Sequence, residues 1–441
     1  MDSFFQLSNQ GVPFKRLGGV RLAMADEARA RDGDGSGDGE AQRTPEGTSR
    51  GFKRRLSSPL LDYLHVRQRQ TEPQGAKRDL RGALEQKQPL GLVERELPRS
   101  LVSRFDKTFA SKWMDEKHVL VGTKCNHLLV LDVENNTCQE VELPCGRSVP
   151  DHAGIVAGIH SIDINPSRTL IATSAQHPAD CAVLRLEDMR PVQTFSVHQD
   201  WIFGVCWLAD DAFVSASRDS TVALWKVSDT NDDKCNAKPL ARSEFKLEDF
   251  ARGKKFRDVK YDPREEEIFV LDTEGFLLKM DPRDELKISS TIALPYDKEL
   301  TCMAMNDSLV CVGSQSFVTA YDTRSQEMVF DVKGCDSSLG TRSLNFQTTM
   351  LTCGGGQGHI SFLDLRTQQY LDLDETGREP KQYYTTGRGW LDKNEVYYSY
   401  FHGRTIPNAC YTQCWDQSGT RLFAGGGPLP FGLRGCYMGI W

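Results

Sequence analysis

Three short motifs set the scale of this chain. They are Met280-Asp281-Pro-Arg283, Tyr321-Asp322-Thr-Arg324 and Leu363-Asp364-Leu-Arg366, and their Asp residues stand 41 and 42 residues apart. Self-similarity at roughly 40–45 residues is the period of a four-stranded repeat unit. Such a unit cannot bury its apolar faces alone and must stack against its neighbours. The 441 residues therefore read either as two or three ordinary domains or, with this register, as one large repeat architecture.

The unit itself is clearest between residues 198 and 227. His198-Gln-Asp-Trp-Ile-Phe-Gly-Val-Cys-Trp and Ala212-Phe-Val-Ser-Ala-Ser-Arg-Asp219-Ser-Thr-Val-Ala-Leu-Trp225-Lys226-Val give three short apolar runs alternating with polar residues. The runs are parted by Asp210-Asp211 and by Ser217-Arg-Asp-Ser, both turn formers. The leading His, the turn Asp and the closing Trp resemble a WD40 propeller blade, with Lys226 in place of the usual final Asp. In such blades a His, a Ser, the turn Asp and the Trp form a buried hydrogen-bonded chain, here expected of His198, Ser215, Asp219 and Trp225.

From about residue 92 the alternation is continuous and resolves into seven units, which makes the expected fold all-β: a seven-bladed WD40 β-propeller over 92–441. The innermost strands begin near Phe105, His160, Phe203, Arg257, Thr301, Arg342 and Tyr411. The last unit ends at Trp441 one strand short, so residues 92–97 are expected to supply its outer strand and close the ring. Two longer connections interrupt the register, a polar one between Val227 and Lys254 and an aromatic one between Gly377 and Pro407. Long connections in repeat proteins map to loops on a face, often the binding face. Residues 1–56, with Asp32-Gly-Asp-Gly-Ser-Gly-Asp-Gly-Glu, read as a disordered N-terminal tail. Residues 57–91 begin Ser57-Ser58-Pro59 and carry Leu60, Leu61, Tyr63, Leu64 and Val66 at helical spacing, which predicts a short capped helix outside the ring.

Composition excludes several classes. No apolar run approaches the ~20 residues of a membrane span, and a net charge of −7 argues against general nucleic-acid binding. The thirteen cysteines are scattered singly, without C-x-x-C pairs or zinc spacing, as in a reducing compartment. No P-loop, G-x-S-x-G or H-E-x-x-H occurs, and the runs Gly354-Gly-Gly-Gln-Gly358 and Gly425-Gly-Gly427 are expected in strand-to-strand turns. A non-catalytic protein without a cofactor or metal is expected, with location in cytoplasm and nucleus; Lys53-Arg-Arg55 can be read as a nuclear localisation signal, but so short a basic cluster is more often a solvated linker.

What remains is electrostatic. Aligning the innermost strands places His160, Phe203, Arg257, Thr301, Arg342 and Tyr411 at one level, with Lys255 two residues before Arg257. Lys124 and Arg218 fall in turns after second strands, and Lys107 opens the first blade. Sharing one mouth, these cations would make a basic pocket in an acidic protein; the alternative is a set of separate solvated loop residues.

Several runs resemble a known family: Lys107-Thr-Phe-Ala-Ser-Lys-Trp113, Gly122-Thr-Lys-Cys-Asn126, Asn165-Pro-Ser-Arg-Thr-Leu, Asp200-Trp-Ile-Phe203, Gly387-Arg-Gly-Trp-Leu391 and Ala424-Gly-Gly-Gly-Pro-Leu-Pro430. They are similar to the damaged-DNA-binding-protein-1 and cullin-4-associated factors, the twelfth in particular. The resemblance implies a WD40 substrate receptor of a cullin-4 RING ubiquitin ligase that recognises protein C-termini ending in Glu-Glu. It implies a degron pocket of Lys107, Lys124, Arg218, Lys255, Arg257 and Arg342. It also implies an adaptor surface of Leu60, Leu61, Tyr63, Leu64 and Val66 with Arg324 and Arg366. A WD40 assembly scaffold without a ligase, and more remotely an RNA-binding propeller, are the competing expectations.

Overall fold

A computed structural model of the chain describes residues 88–147, 158–228, 239–244, 255–336, 339–374 and 381–441. The expected N-terminal tail, the basic cluster at Lys53-Arg-Arg55 and the helix over 60–66 lie outside the described residues. Among the described residues no helix is long and apolar enough to cross a membrane.

Seven antiparallel sheets follow one another along the chain, and in six of them the strand order is the sequence order. Their innermost strands are Thr108–Trp113, Ile162–Ile164, Ile202–Trp207, Phe256–Asp262, Cys302–Met305, Thr341–Gln347 and Asn408–Trp415. We call the sheets blades 1 to 7. In the seventh, Arg95–Glu96 pairs with Gly435–Ile440, Arg95 opposite Ile440 and Glu96 opposite Gly439. The closing strand is thus supplied from before blade 1 as the sequence predicts, although only two residues of 92–97 join the ladder. Leu97, 2% exposed, then drops into the core between blades 7 and 1 with Phe105, Trp113, Phe423 and Met438.

Adjacent blades are held face to face by apolar clusters. Between blades 2 and 3, for example, Val183 and Phe195 meet Trp207, Phe213 and Trp225. A fully buried side chain of this size is worth about 1.5–3 kcal/mol. Tryptophans at the ends of innermost strands add register: Trp113 donates Nε1–H to the Cys414 carbonyl (2.9 Å) and Trp207 to the Asp163 carbonyl (3.1 Å), each reaching into the preceding blade. Within blade 3 the expected polar chain is present. His198 Nε2 lies 2.7 Å from Ser215 Oγ, which also accepts Trp225 Nε1–H at 2.7 Å, while His198 Nδ1 faces Thr221 Oγ1 (2.8 Å) and Asp219 (3.3 Å).

Two expectations are corrected. Gly425-Gly-Gly427 lies inside the strand Leu422–Pro428 rather than in a turn. A Cβ on Gly426 would collide with the Ala409 carbonyl of the next strand, so close backbone approach, not a turn, demands glycine there. The aromatic connection between blades 6 and 7 is also more than a loop. Its Tyr383–Thr385 pairs with the third strand of blade 6, and its Trp390–Leu391 with the third strand of blade 7. The Glu94 and Glu96 carboxylates anchor it by accepting the N–H groups of Gly387 (2.7 Å) and Gly389 (2.6 Å).

The antiparallel order fixes two faces. The start of each innermost strand and the turn joining second to third strands lie at one edge of a blade; the turn joining third to fourth strands lies at the other. Lys124 and Arg218 therefore share the face on which Arg257 and Arg342 enter the channel. Arg283, Arg324 and Arg366, which follow third strands, are on the opposite face.

Candidate functional site

The central channel is built by an irregularity that repeats. In blades 1, 3, 4, 6 and 7 the innermost strand carries a β-bulge, at Phe109, Phe203, Arg257, Arg342 and Tyr411 respectively. A bulge inserts one unpaired residue and re-aims its side chain. Here the five residues, joined by His160 and Thr301 just before the strands of blades 2 and 5, line a single cavity of about 360 Å³. Six of these seven positions were aligned from sequence. The seventh is Phe109, not Lys107.

The ring is divided in chemistry. Tyr411, Phe109, His160 and Phe203 form an aromatic arc: Phe109 packs edge-on with Tyr411 (5.2 Å between centroids) and stacks on His160 (4.7 Å), which meets Phe203 at 4.4 Å. The arc ends at a cation, because the Arg257 guanidinium sits 4.4 Å over the Phe203 ring and donates Nε–H to the Thr301 carbonyl (3.3 Å). Among the described residues no carboxylate lies within ion-pair distance of Arg257. Burial, and next the charge of Arg342, push its proton affinity below the usual guanidinium range. Arg342, on the far side of Thr301, is clamped by the Leu339 carbonyl (2.9 and 2.7 Å) and pairs with Glu299 at 2.9 Å. Burial pushes the Tyr411 phenol up to about 12 against the pull of Arg342 and Arg257, so at neutral pH it remains an O–H donor.

The other expected cations are placed differently. Lys107 is only 5% exposed and donates Nζ–H to the Leu433 carbonyl (2.9 Å), outside the cavity lining. Burial, then Lys124, lower its ammonium to about 8 while Asp106 works in the other direction. Lys124 pairs with Asp106 at 3.0 Å. Arg218 lies 4.1 Å over the Trp201 ring and pairs with Asp200 at 2.6 Å. Lys255 is half-buried, two residues outside Arg257. All four stand on the mouth face, but only Arg257 and Arg342 of the six enter the cavity. Lys298, which sequence reasoning missed, belongs to the same rim. Its carbonyl accepts the Gln315 N–H (2.9 Å), the bond that also joins Lys107 to Lys124 (2.8 Å), Trp201 to Arg218 (2.9 Å) and Lys255 to Thr273 (3.0 Å).

Deeper in the channel the charges are compensated. Lys112 meets Asp163 at 3.0 Å and Lys260 meets Asp258 at 2.9 Å. Asp163 and Asp258 also accept the N–H groups of Trp207 (2.9 Å) and Met303 (3.0 Å). Both lysines follow a bulge by three residues, where simple two-residue alternation would have turned them away from the channel. An anion entering from the mouth thus meets uncompensated positive charge at Arg257 and two paired carboxylates below it.

On the opposite face Arg324 and Arg366 are exposed, their backbone N–H groups held by Asp322 (3.0 Å) and Asp364 (2.9 Å). Leu60, Leu61, Tyr63, Leu64 and Val66 lie outside the described residues.

With this ring, its closing strand and its mouth in view, comparison with known families is decisive: the DDB1- and CUL4-associated factor 12 beta propeller matches residues 89–441. The chain belongs to that family. The match begins just before the closing strand and runs to the last residue, so it takes in all seven blades. Membership in the DDB1- and CUL4-associated factor 12 family implies a substrate-receptor role on a CUL4–DDB1 ubiquitin ligase and a non-catalytic one.

Proposed function

We propose that this protein captures targets by their acidic C-termini, ending in Glu-Glu, in the channel mouth, and presents them to a cullin-4 ligase held on the opposite face. The observation that carries the reading is Arg257: a half-buried guanidinium lining the channel without an ion-pair partner among the described residues, facing a second arginine across Thr301. Two like charges in one partly dry cavity repel each other, and an anion between them relieves that cost. A Glu-Glu terminus offers three carboxylates. Arg257 suits bidentate pairing, Arg342, already paired with Glu299, adds positive charge beside it, Tyr411 supplies a neutral donor, and Lys255 and Lys298, next to the already partnered Lys107, Lys124 and Arg218, edge the mouth and steer approach. Each good charge-assisted contact contributes about 1.5–3 kcal/mol. The ion pairs Lys112–Asp163 and Lys260–Asp258 form a charge-compensated floor that offers a third acidic residue no net attraction deeper in the channel. The adaptor contacts are assigned to Arg324, Arg366 and the apolar stripe Leu60, Leu61, Tyr63, Leu64 and Val66, and the protein acts in cytoplasm and nucleus.

The test is a binding assay with otherwise identical peptides ending in Glu-Glu, Glu-Gln and amidated Glu-Glu. Tightest binding of the free Glu-Glu acid, with loss of at least tenfold on removal of either charge, is expected. Equal binding of all three contradicts the reading.

A further inference from the structure

The segment between blades 6 and 7 is a feature of the mouth face that the channel does not use. After Trp390–Leu391 it runs into a five-residue π-helix, Tyr397–Phe401, a rare conformation that recurs at functional sites. Hydrogen bonds hold it to blade 7 and brace its first turn. Asp392 donates its N–H to the Arg434 carbonyl (2.8 Å), Asn394 Nδ2 donates to the Gly432 carbonyl (3.2 Å), and Asn394 Oδ1 accepts the Tyr397 N–H (3.0 Å). Tyr397 is buried beneath, with Tyr398 packed edge-on to it at 5.5 Å between centroids. Yet Tyr398 is left 57% exposed and Tyr400 73%. Two large aromatic side chains, held out on either flank of the exposed Ser399, leave apolar surface that intramolecular packing does not cover.

Its position and charge identify the occupant. The segment rests on the turn joining the second and third strands of blade 7. Leu433 of that turn accepts the Lys107 ammonium at 2.9 Å, and Phe109 of the channel ring is two residues, about 7 Å of extended chain, from Lys107. Lys393, Arg404 and Arg434 around the aromatics are exposed, against one exposed acid, Glu395. A polypeptide whose C-terminus is seated at Arg257 must leave through this mouth, and the residues before its terminus cross the same face. We propose that Tyr398 and Tyr400 form a second recognition platform. It takes an apolar side chain, within an acidic stretch, a few residues upstream of the target's C-terminus. This rests on the channel reading and adds to it a requirement on the target beyond its last two residues.

Fluorescence polarisation with two peptides tests it: a tetrapeptide ending in Glu-Glu, and a dodecapeptide with the same end and a Leu and a Phe among acidic residues upstream. The dodecapeptide is expected to bind roughly tenfold tighter, the gain of one buried apolar side chain net of its ordering cost. In the double variant Tyr398→Ser/Tyr400→Ser the advantage should fall below threefold while tetrapeptide affinity stays within error. The platform is overturned if the tetrapeptide binds and the dodecapeptide has no advantage, or if the advantage survives the double change. It is equally overturned if light scattering shows wild type to be a dimer that the double change makes monomeric, because a second copy then covers these tyrosines. Failure of the tetrapeptide to bind wild type, by contrast, counts against the channel reading; the platform then stands or falls on whether the double change weakens the dodecapeptide.

Discussion

At the scale of single residues, environment separates cations that look alike in sequence. Arg218 and Lys124 each have a carboxylate within 3.0 Å, so their charge is largely spoken for, whereas Arg257 is stacked, half-buried and without an ion-pair partner among the described residues. Tyr411, kept protonated by burial, donates to the ligand in our account, and Tyr411→Phe should weaken a Glu-Glu peptide about three- to tenfold in a titration without lowering thermal stability. Lys107 is a different case. Its folded value of about 8 lies below the ordinary 10.5, so between those pH values the unfolded chain holds more protons than the native one, and native stability rises with pH. Wild type should therefore gain on the order of 3 kcal/mol relative to Lys107→Met between pH 7 and pH 10.5 in denaturant unfolding. A pH-independent difference would show that Lys107 is not held as a buried ammonium. Its burial was not legible in the sequence, because a lysine opening a blade ordinarily stays solvated; only the Leu433 carbonyl, 326 residues away, explains where its charge goes.

At the scale of elements, what the sequence made legible was whatever repeats locally. The His198, Ser215, Asp219 and Trp225 chain could be expected from the resemblance to a WD40 blade, and all four residues fall within one blade and serve one turn. Ser215→Ala removes the hydroxyl that both His198 and Trp225 use, leaving two buried polar groups unpaired, and should cost about 2–3 kcal/mol while peptide affinity is unchanged. The closing strand was likewise foreseen from a missing partner, but its strength lies beyond the ladder. Leu97→Ala should cost about 2–4 kcal/mol by thermal unfolding, and Val93→Ala, 80% exposed a few residues earlier, next to nothing. The bulges were not legible. They depend on how one innermost strand meets its neighbour, and they shift the channel-facing residues from a spacing of two to three, which is why Lys112 and Lys260 went unnoticed. The aromatic connection was recognised as an insertion, but its pairing with the third strands of blades 6 and 7 uses contacts to Glu94 and Glu96, almost 300 residues distant in sequence.

At the scale of the whole molecule, our proposal assigns two tasks to the two faces of the propeller. The channel mouth gathers Arg257, Arg342 and Tyr411 above a charge-compensated floor, and the far face presents the third-to-fourth-strand turns with Arg283, Arg324 and Arg366. Because the blades are rigid sheets packed face to face, a charge change on one face should leave the other intact. This separation makes a control possible. Arg283 is exposed and already paired with Glu266 (2.8 Å) and Asp281 (3.0 Å), and it contributes to the general surface field without reaching the channel. The most direct measurement is calorimetric titration of a Glu-Glu-ending peptide into wild type, Arg257→Glu and Arg283→Glu, each first checked for unchanged unfolding temperature. Arg257→Glu should abolish measurable binding and Arg283→Glu should leave affinity within error; equal weakening by both changes would mean that the attraction is a diffuse surface field and that the channel mouth is not the binding site.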